Sequence, residues 1–364
     1  MIGQKGIPGH SGGVERHVEE ISTRLAAAGL EVTVYCRRHY TPETGPHRGI
    51  RRIHLPSLPT KHLDAGTHTL VSVLDSLFRG YDIVHFHGIG PSFFAPLARV
   101  SGTRVVMTYH AQDWRQAKWG PAARGFLRRG ESHGIRASHR VITVSEILRT
   151  YVRERYGVEA VRIPNGANPS RPPPPRLIRS TYGLEGRDYV LSVGRMIPER
   201  GFAELIRAFQ KLGTPGRLVL VGAAPFGDPY EESLRALAGD DVILTGALSG
   251  PVLDELYANA LLYVNPSVLE GLPISVLEAM AFGTPVLVSD IPENLEAVGE
   301  AAFRYRAGDP DDLERALAEL LGGGERLPAM GARGRRRVEE RFSWESISER
   351  VMGVYRDLLE ERAA

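Results

Sequence analysis

Short apolar runs recur along the whole chain, and the intervals between them leave room for one helix each. In the first half they are EVTVYC at 31–36, YDIVHFHG at 81–88, TRVVMTYH at 103–110 and HRVITVS at 139–145. In the second they are DYVLSVG at 188–194, GRLVLVG at 216–222, DDVILTG at 240–246, ALLYVNPS at 260–267 and TPVLVSD at 284–290. Runs this short and rich in Val and Ile, separated by helical patterns, predict parallel strands of doubly wound α/β sheets. Two series of one type predict two similar domains, and 364 residues are enough to give each its own core.

The stretch IPNGANPSRPPPPRLIRSTYGL at 163–184 separates the two series, and its four consecutive prolines predict an extended, stiff connection. This sets expected domains at 1–168 and 169–344. A last helix is expected over 345–361, with Ile347, Val351, Val354, Tyr355 and Leu358 on its apolar face. The tail 345–364 could cap the second domain or cross back to the first.

Lys and Arg total 45 against 43 for Asp and Glu, so the net charge of +2 provides no bulk attraction to nucleic acid, and no nucleic-acid partner is expected. Cys36 is the only cysteine, which excludes an internal disulfide and suits a reducing compartment. No apolar run approaches the roughly eighteen residues that span a bilayer, and the start lacks a charged-then-apolar leader pattern. A cytoplasmic protein is the expectation.

In open α/β sheets ligands bind beyond the C-terminal ends of the strands. Two glycine-bearing loops occupy such places. In the first, GQKGIPGHSGGVE, Gly12 and Gly13 precede a helix whose amides and dipole favour an anion; a plain tight turn would use the same glycines. The second, GRMIPERGFAE, carries Arg195 and Arg200, two cations able to hold a diphosphate without a metal, or simply two solvated arginines.

The segment NPSVLEGLPISVLEAMAFGTPVLVSD places Glu270 in a loop, Pro273 in the first turn of a helix, Glu278 about one and a half turns inside it and Gly283 at its end. A carboxylate among Val276, Leu277, Ala279, Met280 and Ala281 either faces solvent or accepts hydrogen bonds from a polar ligand, for which ribose hydroxyls are suitable. His110 ends the run TRVVMTYH at a sheet rim, where a cleft residue belongs and where an ordinary core or surface histidine also fits. His85 and His87 alternate onto one strand face. With no third ligand nearby in the chain, no metal is assigned to them. The acids of GDPDDLERAL at 308–317 read as a helix cap and first turn.

The segment 113–140 carries seven basic residues, Arg115, Lys118, Arg124, Arg128, Arg129, Arg136 and Arg140, against Asp113 and Glu131. With Trp114, Trp119 and Phe126 interleaved, it could lean on an anionic membrane surface or receive an anionic acceptor; an ordinary solvated helical face has the same composition.

Together these motifs resemble family 4 glycosyltransferases of the GT-B fold over nearly the whole chain. The carriers are GGVERHVEEISTRLAAAGLEVTVYC, VITVSE followed by YG and IPNGAN, SVGRMIPERGFAELIRAF, and above all PSVLEGLPISVLEAMAFGTPVLVSD, where Glu270 and Glu278 fill the E-x7-E signature. IGQKGIP resembles a bacterial subgroup that transfers rhamnose or other hexoses in surface polysaccharide assembly.

The resemblance implies two facing Rossmann-like domains with an interdomain cleft, and transfer of a hexose or deoxyhexose from a nucleotide diphosphate sugar to a glycan or lipid-linked acceptor with retained anomeric configuration. It implies that Arg195 and Arg200 hold the donor diphosphate with help from Gly12 and Gly13. Glu278 would bind the ribose. Glu270, with Gly271, Leu272 and Pro273, would contact the donor sugar, and His110 would lie beside its anomeric centre or its hydroxyls. Glu270 as nucleophile and a front-face substitution guided by the leaving phosphate both remain open. Arg200 stands where the family usually has lysine, so a planar fork replaces a point charge. No cofactor and no metal are expected. Two other readings are a sugar-nucleotide epimerase of the same fold and a silent nucleotide-sugar-binding subunit. Only Met1 and Ile2 precede GQKGIP, so a first strand shortened by a late start codon is a further expectation.

Overall fold

The computed structural model describes residues 1–9, 12–60, 63–224, 229–324 and 326–363. The chain forms two compact units, Met1–Asn165 together with the helix Trp344–Ala363, and Gly166–Ser343.

In the first unit β1 (Thr33–Arg37) pairs in parallel with β2 (Arg51–Leu55), and β3 (Ile83–His87), β4 (Arg104–Tyr109), β5 (Arg140–Thr143) and β6 (Val161–Arg162) form a second parallel ladder. Residues 1–5 lie between these ladders. Ile2 bridges Phe86 in parallel, its N–H donating to His85 O and its carbonyl accepting from His87 N–H, both at 2.9 Å. On the other side Met1 O accepts from Tyr35 N–H at 3.2 Å and Lys5 O from Arg37 N–H at 2.8 Å. The opening residues therefore occupy a strand's place between β1 and β3, and Ile2 is buried in the core with Tyr35, Val84 and Phe86.

The second unit carries one six-stranded parallel sheet. Its strands are β7 (Tyr189–Val193), β8 (Arg217–Val221), β9 (Val242–Gly246), β10 (Leu262–Asn265), β11 (Val286–Ser289) and β12 (Phe303–Tyr305), in the spatial order β12-β11-β10-β7-β8-β9. Chain direction across the sheet reverses between β7 and β10, the switch point at which such sheets bind ligands. The first unit has the same plan. There the reversal lies between residues 1–5 and β3.

Pro172–Pro175 belong to the second unit, where Asn259 Nδ2 donates to Pro173 O at 2.9 Å, so the proline run is packed rather than free. The last helix, Trp344–Ala363, belongs to the first unit. Ile347, Val351, Val354, Tyr355 and Leu358 are all buried, as their helical spacing predicts.

At the switch point of the second unit Gly201 has φ +67°, and a Cβ there would lie 2.3 Å from the carbonyl oxygen of Pro266. Only glycine lets the loop after β7 press this closely on the loop after β10. Gly201→Ala is expected to cost about 1–3 kcal/mol from strain at this backbone conformation. The melting temperature would then fall by about 2–4 °C per kcal/mol, measurable by calorimetry.

Candidate functional site

The loop after β7 delivers Arg195 and Arg200, and the loop after β10 delivers Glu270, so the switch point brings together residues seventy positions apart in the chain. Arg200 Nη1 forms an ion pair with Glu270 Oε1 and donates to Ser267 Oγ at 3.3 Å. Asn265 Nδ2 approaches the same carboxylate oxygen at 3.4 Å, while Asn265 Oδ1 accepts from Ser267 N–H at 3.1 Å. Burial and then the Arg195 charge pull the Arg200 guanidinium down to about 10. Glu270 in contact favours the charged form, so Arg200 stays a cation at neutral pH. Arg195 is half-buried and has no carboxylate partner among the described residues. Of the two arginines expected to hold a diphosphate, Arg200 is paired with Glu270, and Arg195 has no ion pair among the described residues. The helices Phe202–Leu212 and Ile274–Ala281 both start at these loops, and each adds about half a positive charge there.

Gly271, Leu272 and Pro273 are buried, and Pro273 caps the helix instead of entering its first turn. Glu278 neither faces solvent freely nor waits unpartnered for a ligand. It is half-buried, and its Oε2 accepts from Tyr257 OH at 3.0 Å.

At the first glycine-bearing loop, His10 and Ser11 lie outside the described residues. Gly12 has φ +105° and caps the helix Gly13–Ala27. A Cβ on Gly12 would meet Glu15 Oε2 at 2.2 Å, and Glu15 Oε1 accepts from Lys5 N–H at 2.9 Å. A carboxylate of the chain itself thus lies at the helix terminus that was expected to receive phosphate. The positive end of the dipole is already partly answered.

The switch point of the first unit holds imidazoles. His110 follows β4 directly, His87 ends β3, and His17 lies on the first helix. His110 Nε2 is 3.2 Å from His87 Nδ1, and the His17 ring stands edge-on to His110 with centroids 4.6 Å apart. His17 Nδ1 meets Asn165 Oδ1 at 2.9 Å. An amide oxygen only accepts, so Nδ1 carries the proton and Nε2 the lone pair. Burial drives the His17 pKa down to about 4, against the Asn165 hydrogen bond, and holds His87 and His110 well below the usual histidine value. All three are therefore neutral at pH 7. His110 is 8% exposed, so it belongs to a sealed cluster more than to an open rim. His85, on the same strand face as His87, is fully engaged: Nδ1 with Tyr355 OH at 2.6 Å and Nε2 with Thr108 Oγ1 at 2.7 Å. The companions of His87 come from other elements, where spacing along one strand could not reveal them.

The basic segment 113–140 contains the helix Pro121–Ala137. Arg128 lies over the Trp114 ring at 4.5 Å and Lys118 over Trp119 at 4.8 Å. Glu131, 1% exposed, accepts from Tyr109 OH at 2.7 Å, Trp114 Nε1 at 2.6 Å, Tyr151 OH at 2.8 Å and Tyr156 OH at 2.5 Å. It closes one side of a cavity of about 570 Å³ that Arg128, Arg136 and Arg155 also line. Sequence reasoning treated Glu131 only as a minor offset to the local charge. Four aromatic donors on three elements make it the organising group.

Two family models divide the chain between them: Glycosyltransferase Family 4 matches residues 11–171, and Glycosyl transferases group 1 matches residues 176–337. The chain belongs to the family 4 glycosyltransferases. Relatives of this glycosyltransferase include the D-inositol 3-phosphate glycosyltransferase of Acidothermus cellulolyticus, 29% identical over 97% of this chain and 87% of the relative. The GDP-mannose-dependent alpha-(1-6)-phosphatidylinositol monomannoside mannosyltransferase of Mycobacterium tuberculosis is 28% identical over 96% of each chain. Among solved structures, sucrose-phosphate synthase from Thermosynechococcus elongatus superposes with a TM-score of 0.81 at 24% identity, over 96% of this chain and 94% of the other. Anabaena HepE in complex with UDP-glucose gives 0.79 at 17% identity over 95% and 96%. The fold is GT-B. No helix among the described residues of this glycosyltransferase is long and apolar enough to cross a membrane.

The buried neutral imidazoles have a consequence for stability. His17 titrates near 4 when folded and near 6.5 when unfolded, so between these values the unfolded chain binds more protons. Stability is complete above pH 6.5 and falls as pH drops toward 4, by roughly 3 kcal/mol from His17 alone. Trp114, Trp119 and Trp344, the three tryptophans of the chain, all lie in the first unit. Urea midpoints followed by tryptophan fluorescence should therefore decrease steadily from pH 7 to pH 5.

Proposed function

We propose that this family 4 glycosyltransferase moves a hexose or deoxyhexose from a nucleotide diphosphate sugar to a glycan or lipid-linked acceptor, with retention and without a metal. The setting would be assembly of a cell-surface polysaccharide, with the enzyme cytoplasmic and held peripherally at the membrane through 113–140. The observation that carries the reading is the Arg200–Glu270 pair with Arg195 beside it, at the switch point of the second unit. Departure of a nucleoside diphosphate is the difficult event, and fixed positive charge lowers its barrier most where the negative charge develops. Arg195 and the two helix N-termini supply that charge, with Arg200 oriented by Glu270. Gly12 and Gly13 contribute less, because Glu15 faces the same helix end.

Glu270 in this reading orients sugar hydroxyls. A carboxylate held by a guanidinium and an asparagine is a poor nucleophile, which favours front-face substitution. Glu278, already aligned by Tyr257, takes the ribose hydroxyls with its remaining lone pairs. The family resemblance assigns His110 a contact with the donor sugar as well. Relatives named for GDP-mannose and a fold neighbour bound to UDP-glucose support a hexose nucleotide as donor.

Arg195→Ala and Glu270→Ala are each expected to lower kcat/KM for sugar transfer about 100-fold or more, the scale of losing one transition-state donor. Full activity in both variants would overturn the assignment, as would activity lost in EDTA for metal independence. The donor base can be found from thermal shifts with uridine, guanosine, thymidine and adenosine diphosphates. A ligand at 100 times its Kd stabilises by about 2.7 kcal/mol, and Arg195→Ala should abolish that shift.

A further inference from the structure

His17, His87 and His110 each place one ring nitrogen within 4.8 Å of the other two, and all three residues are buried. They come from three elements that converge at the C-terminal edge of the first unit's sheet, beside its switch point, where α/β sheets bind ligands. His17 Nε2, the ring nitrogen left free to donate a lone pair, is buried without a hydrogen-bond partner. Each such group normally costs about 1–3 kcal/mol, and native structures keep it for a reason such as a ligand that satisfies it.

We propose that His17, His87 and His110 form a binding site for one late first-row divalent cation of the zinc class. Three neutral imidazoles are a donor set that suits zinc, copper or nickel and offers nothing to magnesium or calcium. Nitrogens at about 2.0–2.1 Å from a tetrahedral zinc stand roughly 3.3 Å apart. His87 Nδ1 and His110 Nε2, at 3.2 Å, already have that spacing, and the imidazoles need to close only from within 4.8 Å around an ion. Asn165 does for His17 what an outer-shell partner does for a metal-bound histidine: its Oδ1 accepts a hydrogen bond from Nδ1–H, which leaves Nε2 as the ligand atom. His85 is not a ligand, since both its nitrogens are committed to Tyr355 and Thr108. A water or substrate oxygen completes the shell. No step of the proposed transfer is routed through the ion.

The test uses the full chain, stripped with chelator and titrated with Co²⁺ while visible absorption is recorded, followed by X-ray absorption on the zinc-loaded wild type. The expected result is one ion per chain, with the d–d bands of four- or five-coordinate cobalt and three imidazoles around zinc. His17→Ala and His87→Ala should each weaken cobalt binding at least about 100-fold, with the exposed His133→Ala unchanged. Absence of stoichiometric binding, or fewer than three imidazoles in the wild-type spectrum, overturns the proposal. So does binding that survives His17→Ala. The wild-type spectrum decides the matter even where a variant does not fold.

Discussion

The site of the second unit depends on the contact of two loops across one backbone position. β7 and β10 are neighbours in the sheet, so the chain leaves them toward opposite faces and opens a crevice at their ends. Gly201 lets the first loop settle against the Pro266 carbonyl, and that approach places Arg200 on Glu270 and Ser267. Arg195, five positions before Arg200, is left half-buried and without an ion pair among the described residues. The pairing of Arg200 with Glu270 follows from this backbone packing.

The first unit reaches the same topology with different chemistry. Its switch point is lined by neutral imidazoles, and the glycine-bearing start of its first helix faces the chain's own Glu15. One unit therefore presents positive charge where the other presents uncharged lone pairs.

Much of the architecture was legible because parallel strands buried on both faces have to be apolar throughout, and each such run stands out between polar helices. The E-x7-E segment was legible because Glu270 and Glu278 lie on a single loop and helix. The amphipathic face of the last helix was equally plain, but periodicity says which side is buried and not against which unit. Residues 1–5 gave only the stub of a shortened first strand, having one apolar pair, and they take a strand's place because β1 and β3 offer edges on either side. Glu131 and the histidine cluster were not legible. Their partners come from separate elements, and hydrogen bonds between distant side chains leave no spacing in the sequence.

The chain enters the second unit at Gly166 and returns to the first only at Trp344. His85 in β3 must therefore wait for Tyr355, which is synthesised 270 residues later, after the entire second unit. On the ribosome the order of completion is the reverse of the order of synthesis: the second unit, continuous in the chain, has all its strands available before the first receives its closing helix. Until then the floor under His17 lacks Trp344, and the apolar surface that this helix covers stays open to solvent.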